Sequence, residues 1–202
     1  MSGAQRNDFC KQPKFSKLPS VVTPVPINTE FNLGSNAPRN SLGFVGRIHE
    51  ERDPRLWVEI ANSLPEIPKL VVGDGPLLNE MRGALRSGEF TGVLAGDKLA
   101  EIWNRLLVLL STAPYESYGL TIREALLHEV PVMAKTSAGA KDLALRFPNL
   151  VRLFENPEEA VALIYELRES PPTKDEFKSF REWFIESQSE SLSALAKMWA
   201  AM

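Results

Sequence analysis

A chain of 202 residues, 44% hydrophobic and 24% charged, can bury one good core, and a single α/β domain is the natural class at that size. Its 23 basic and 26 acidic residues leave a net charge of -3, which gives no electrostatic footprint for nucleic acid as a partner. The single cysteine, Cys10, excludes an internal disulfide framework and a cysteine-rich zinc site and fits a reducing compartment.

Residues 1–40 are rich in Pro, Ser and Asn without a sustained period, and Pro13, Pro19, Pro24 and Pro26 favour an extended, linker-like path. They hold no apolar stretch of the signal-peptide kind. From residue 41 to residue 172, apolar runs of strand length at 42–48, 69–73, 90–94, 106–113, 131–135 and 150–154 alternate with helix-period segments. That alternation predicts a parallel sheet with helices on both faces. Asp53-Pro54 reads as an N-cap with proline at the first helical position, followed by Leu56, Trp57, Ile60 and Leu64 at helix spacing, and Asn156-Pro157 repeats the device. Residues 173–202 place Phe177, Phe180, Phe184, Leu192, Leu195 and Trp199 on a helical stripe, which either packs on this domain or docks on one outside the chain. The longest apolar run is far short of the roughly 20 residues a membrane helix needs. The expected location is the cytoplasm, or the cytoplasmic face of a membrane.

The motifs that could carry chemistry fall where these strands end. Gly43-Phe44-Val45-Gly46-Arg47-Ile48 closes the first strand, and Arg52 follows across the loop. Two guanidiniums at the carboxyl edge of an open sheet can neutralise a pyrophosphate, although a solvated surface pair is the plainer reading of the loop alone. Gly73-Asp74-Gly75-Pro76 closes the second strand with glycines that allow either a structural turn or a close ligand approach. After the fourth strand comes Pro114-Tyr115-Glu116-Ser117-Tyr118-Gly119-Leu120-Thr121-Ile122-Arg123-Glu124. Were this one helix, its two glutamates would stand about 12 Å apart along the axis. Gly119 instead predicts a loop to 119 and a helix from about 120 to 128, with both carboxylates flanking its N-terminal mouth. Unpaired N–H groups and the helix dipole there favour a phosphate, so the carboxylates are left to take hydroxyls, of ribose on one side and a sugar on the other. Ser137-Ala138-Gly139-Ala140-Lys141-Asp142 is either an ordinary helix entrance or a further backbone approach to the ligand.

Other chemistries find no motif. Neither glycine site completes the G-x-G-x-x-G dinucleotide fingerprint, no P-loop is present, and no G-x-S-x-G elbow serves a hydrolase. His49 and His128 are the only histidines, and neither has a carboxylate at metal-ligand spacing, so no metal ligand is assigned.

Gly46-Arg47 with Glu51-Arg52, Gly73 to Pro76, Phe90-Thr91-Gly92, and Glu116 through Glu124 with Ala125 and Pro131-Val132 together resemble the C-terminal, donor-binding domain of retaining glycosyltransferases of family 4. The resemblance runs from about Ile27 to the C-terminus. It implies a Rossmann-like parallel sheet of about six strands with helices on both faces, one half of a GT-B architecture. It also implies hexosyl transfer from a nucleotide diphosphate sugar such as a UDP- or GDP-hexose to an acceptor glycan, lipid or small molecule, with no metal or other cofactor. On this resemblance Glu124 would hold the ribose hydroxyls and Glu116 the donor sugar, and Arg47 and Arg52 the diphosphate. Val93 and Leu94 would meet the base through backbone, and Gly119, Leu120 and Thr121 would turn toward the phosphates, with Gly73 in the approach loop. The family usually has glycine at Glu129, Ala138 and Asp53 and proline at Lys141, so the helix ending near 128 is expected to lack a glycine cap, and the 137–142 turn leaves the sugar open. Family members also carry an N-terminal domain of similar size. The expectation is therefore an excised domain or one subunit of a split enzyme, inactive alone, whose acceptor side comes from that domain or a partner subunit. A non-catalytic nucleotide-sugar-binding subunit and a nucleotide-sugar epimerase are the alternatives.

Overall fold

In the computed structural model of the protein, which describes residues 39–200, six strands and seven helices alternate until the last two helices, which follow one another. They are β1 (Ser41–Val45), α1 (Pro54–Asn62), β2 (Lys69–Val72), α2 (Leu78–Ala84), β3 (Glu89–Gly92), α3 (Asp97–Trp103), β4 (Leu106–Ser111), α4 (Leu120–Leu127), β5 (Val132–Lys135), α5 (Ala138–Arg146), β6 (Val151–Phe154), α6 (Pro157–Glu169) and α7 (Lys174–Ala200), with a 3-10 turn, Glu50–Arg52, before α1. All six strands pair in parallel, in the order β3-β2-β1-β4-β5-β6. The Rossmann-like α/β architecture expected from the sequence is the one observed.

Alternation along each strand divides the core. Leu70, Leu106, Leu109, Val132 and Val151 face α4, α5 and α7, whereas Val71, Val108, Leu110 and Met133 face α1, α2 and α6. Both faces are apolar because both are covered, as a parallel sheet demands. Strands end earlier than their apolar runs, since the last residues of several runs already turn into the loops. Gly46 follows β1, and Val93 and Leu94, read as strand, lie in the loop beyond Gly92, whose φ of 74° ends the ladder.

Local chemistry sets the helix ends. Asp53 Oδ1 accepts from the Leu56 N–H at 3.1 Å and Asn156 Oδ1 from the Glu159 N–H at 2.9 Å, each with proline opening the helix. At the other end of α4 the expected lack of a glycine cap holds as to residue type, since Glu129 stands there, yet Glu129 adopts the left-handed conformation itself, with φ 58°. The Val130 N–H bonds the Ala125 carbonyl at 2.8 Å and the Glu129 N–H that of Leu126 at 3.1 Å, so the cap geometry survives without glycine. Arg39 donates to the carbonyls of Glu129 and His128 at 2.6 and 2.9 Å, and Arg181 lies 3.3 Å from the Glu129 carboxylate. Cations at a helix C-terminus are well placed against its dipole.

The stripe on α7 behaves in two halves. Phe177, Phe180 and Phe184 are buried in the sheet-facing core, and the Phe180 ring meets Phe147 edge-on at 5.2 Å. Beyond them Ile185, Leu192 and Trp199 are exposed.

His128 is buried and stacks on Trp103 at 5.8 Å. Burial, then the Arg39 and Arg181 cations, pull its imidazole down to about 4. Because the folded value lies below the unfolded one, its support for folding is complete above about pH 6.5 and drains away toward pH 4, by about 3 kcal/mol at most. Thermal melts across pH should show a fall in Tm through that window that His128→Phe, which keeps the stacked ring, flattens; an unchanged profile contradicts the assignment.

Candidate functional site

The sheet order reverses direction between β1 and β4, and the loops leaving their carboxyl ends diverge there, which opens a crevice where ligands of such sheets bind. An open cleft of about 370 Å³ occupies this place, lined by Val45, Gly46, Arg47, Val72, Gly73, Asp74, Val93, Leu94, Leu99, Thr121 and Glu124. Its floor exists because three loops approach backbone to backbone. The Gly46 N–H bonds the Val72 carbonyl at 2.9 Å, the Ile48 N–H that of Asp74 at 2.9 Å, and the Gly73 N–H that of Gly92 at 2.8 Å. Gly73 has φ 132°, and a Cβ there would stand 1.9 Å from the Gly46 carbonyl oxygen, so a side chain is excluded on two counts.

The second wall is the mouth of α4. Gly119, in the left-handed region at φ 74°, caps the helix without a side chain, which leaves first-turn N–H groups at the opening. Its own N–H donates to Glu116 Oε1 at 2.8 Å. The other Glu116 oxygen lies 3.7 Å from Arg52 Nη1, and the Glu116 carbonyl accepts from the Gly139 N–H at 2.9 Å, tying this loop to the first turn of α5. Gly139 must be glycine, because a Cβ there would meet the Ser117 backbone at 2.9 Å.

Arg52 is held from behind. The Thr112 hydroxyl, at the end of β4, lies 2.7 Å from the Arg52 carbonyl and 2.9 Å from that of Asp53, and Asp53 is itself left-handed at φ 44°. The guanidinium packs on Gly46 and faces Glu116. Glu124 is half-buried. Burial pushes its carboxyl up from the usual range, and the Arg52 cation opposes that shift.

Six of the residues singled out from sequence therefore share one cleft: Arg47, Gly73, Val93, Leu94, Thr121 and Glu124. Arg52 does not stand beside Arg47 on the cleft wall but is turned to Glu116, lining a small notch with Thr121. Glu116 reaches the cleft only through that pair, the Gly119 N–H is occupied by Glu116, and the Leu120 side chain is exposed outside. Asp74 belongs to the Gly73–Pro76 turn, whereas Leu99 and Thr112 carry no local signal, since their positions are set by α3 and by the end of β4. Among the described residues no three His, Cys, Asp or Glu side chains form a metal-holding group, and no helix is long and apolar enough to cross a membrane.

Gly73→Ala forces the Gly46 loop to move. We expect a loss of about 2 kcal/mol or more in urea denaturation, and wild-type stability would contradict the close approach.

Comparison with known proteins agrees with this geometry. Residues 39–169 match the family model for glycosyl transferases group 1. The chain is 31% identical over 157 residues to 2-deoxystreptamine glucosyltransferase of Streptomyces kanamyceticus, covering 72% of this chain and 41% of that protein. It is 33% identical over 106 residues to the GDP-mannose-dependent alpha-mannosyltransferase of Mycolicibacterium smegmatis, covering 52% and 28%. The chain thus spans less than half the length of these curated relatives. In fold it resembles a TarM variant of S. aureus crystallised with fondaparinux, alpha-GlcNAc-glycerol and UDP, with a TM-score of 0.74 at 19% identity over 100% of this chain and 42% of that one. The chain belongs to the group 1 glycosyl transferases and has the fold of the C-terminal, Rossmann-like domain of a GT-B architecture.

Proposed function

We propose that the chain binds the donor of a retaining glycosyltransferase, holding a UDP- or GDP-hexose for transfer to an acceptor hydroxyl. The observation that supports this most is the convergence of Arg47, Gly73, Val93, Leu94, Thr121 and Glu124 on one cleft at the switch point of the sheet. In this reading Glu124 accepts from the ribose hydroxyls, and the backbone of Val93 and Leu94, in an open loop, meets the base. The diphosphate lies between Arg47 and the mouth of α4. Arg52, 3.7 Å from Glu116 and so short of a hydrogen bond, is close enough to turn from that carboxylate to the phosphates. Glu116 is then left to accept sugar hydroxyls. The cations stabilise the diphosphate as it departs.

Arg47, Arg52 and the helix N-terminus supply the counter-charge in this scheme, so donor binding needs no divalent ion. The acceptor, a glycan, lipid or small molecule, meets the sugar in a cleft completed by an N-terminal domain or partner subunit, which leaves this chain with donor affinity and negligible turnover of its own.

A thermal-shift panel of UDP, GDP, ADP and their sugars tests the reading. A ligand at a hundredfold excess over its Kd stabilises the fold by about 2.7 kcal/mol, which raises Tm by roughly 5 to 10 °C for a chain of this size. We expect that shift from UDP or GDP, unchanged by EDTA; no shift from any diphosphate contradicts the donor site, and a shift abolished by EDTA contradicts the metal-free scheme.

A further inference from the structure

We propose that Arg123 is a positioning residue, whose buried cation beneath the Glu116–Gly119 turn prepares the mouth of α4 for the donor's diphosphate. The proposal rests on the donor-binding reading of the cleft.

Arg123 lies in the second turn of α4 and is only 5% exposed; its Nε and Nη1 have no hydrogen-bond partner, and its side-chain hydrogen bond is with Tyr118. Among the described residues it is the one arginine in that position. Arg39, by comparison, donates to two backbone carbonyls, and Arg55 and Arg152 reach carboxylates. A charged group seldom loses its water without pairing, because the desolvation is so costly. Fold stability alone does not call for it. An unbranched apolar side chain of similar length would fill the same space without the desolvation, a kind of replacement that is often neutral or stabilising.

Its placement supplies the reason. The guanidinium carbon lies over the Tyr118 ring, 3.9 Å from its centroid. Nη1 is 3.4 Å from where a Cβ on Gly119 would stand, so it sits directly beside the helix cap. Burial lowers its affinity for the proton, while Tyr118, Asp142 and Glu116 act in the opposite sense and keep the cation favoured. The positive charge therefore adds to the dipole of α4 at the same opening. An anion there would feel it through protein rather than water. Arg47, exposed at the rim, acts through solvent and is screened by salt; Arg123 is shielded from that screening.

Calorimetric titration of the full chain with UDP, GDP and their nucleosides, in dilute buffer and at high salt, tests this in Arg123→Met and Arg123→Lys. We expect the Met variant to bind the diphosphate roughly tenfold more weakly at both salt concentrations, with nucleoside affinity unchanged and Tm equal to or above wild type. The Lys variant, which keeps the charge, should recover much of the loss. Unchanged diphosphate affinity in the Met variant overturns the proposal. So does an equal loss for nucleoside and diphosphate with a lowered Tm in both variants, which would mark Arg123 as a packing residue. Wild-type chain that binds no diphosphate overturns the donor-site reading first, and this one with it.

Discussion

Between β1 and β4 neighbouring strands carry their connections to opposite ends of the sheet, so the loops above them part while the strands below stay hydrogen-bonded. The crevice this opens costs no broken backbone ladder, and everything polar in the site is arranged around it. What keeps it from filling with side chains is the contact of the Gly46 carbonyl with the Cα of Gly73. Two loops that touch through backbone form a floor of amide groups, and Arg47 is left on the wall rather than in the gap.

The same economy shapes α4. Its C-terminal carbonyls are engaged by Arg39 and by the left-handed turn at Glu129, and its apolar face, Ile122, Ala125 and Leu126, is locked in the core. Its N-terminus ends in a glycine with nothing to cap it. A helix anchored at one end and unfinished at the other presents its dipole to whatever enters the cleft. The charges nearby are close to balanced in the free protein. Arg52 faces Glu116 and favours the ionised form of Glu124, while burial of Glu124 works against that ionisation. In the proposed donor reading, a diphosphate with its ribose would offer anionic oxygen to the arginines and hydroxyl donors to the glutamates.

Much of this was legible along the chain, because it is local. Asp53 and Asn156 cap the helices predicted for them, and the six apolar runs became the six strands. Gly119 broke the segment between the glutamates where a helix mouth was expected. Those signals arise from a residue and its immediate neighbours. What escaped is set by contacts between distant segments. No feature of Thr112 foretells that its hydroxyl lies between the carbonyls of Arg52 and Asp53. The direction of Arg52 depends on the 116–119 turn, sixty or more residues on, and its pairing with Glu116 separates it from Arg47. Periodicity on α7 correctly marked an apolar stripe but could not say where its cover ends, since the burial of Phe184 and the exposure of Leu192 depend on the length of the body beneath. At Glu129 the missing glycine was read correctly, and the cap persisted because surrounding contacts hold a left-handed glutamate in place.

The central claim is that Glu124 receives the ribose of a nucleoside diphosphate in the cleft beside β1. A thermodynamic cycle tests it most directly: calorimetric affinities of wild type and Glu124→Ala for the diphosphate that binds best and for its analogue lacking the 2′- and 3′-hydroxyls. A hydrogen bond to a charged group is worth about 1.5–3 kcal/mol, so either change alone should weaken binding by roughly tenfold or more, and the two together by little beyond either one. Losses that simply add, or a Glu124→Ala variant that binds the diphosphate as wild type does, would contradict it.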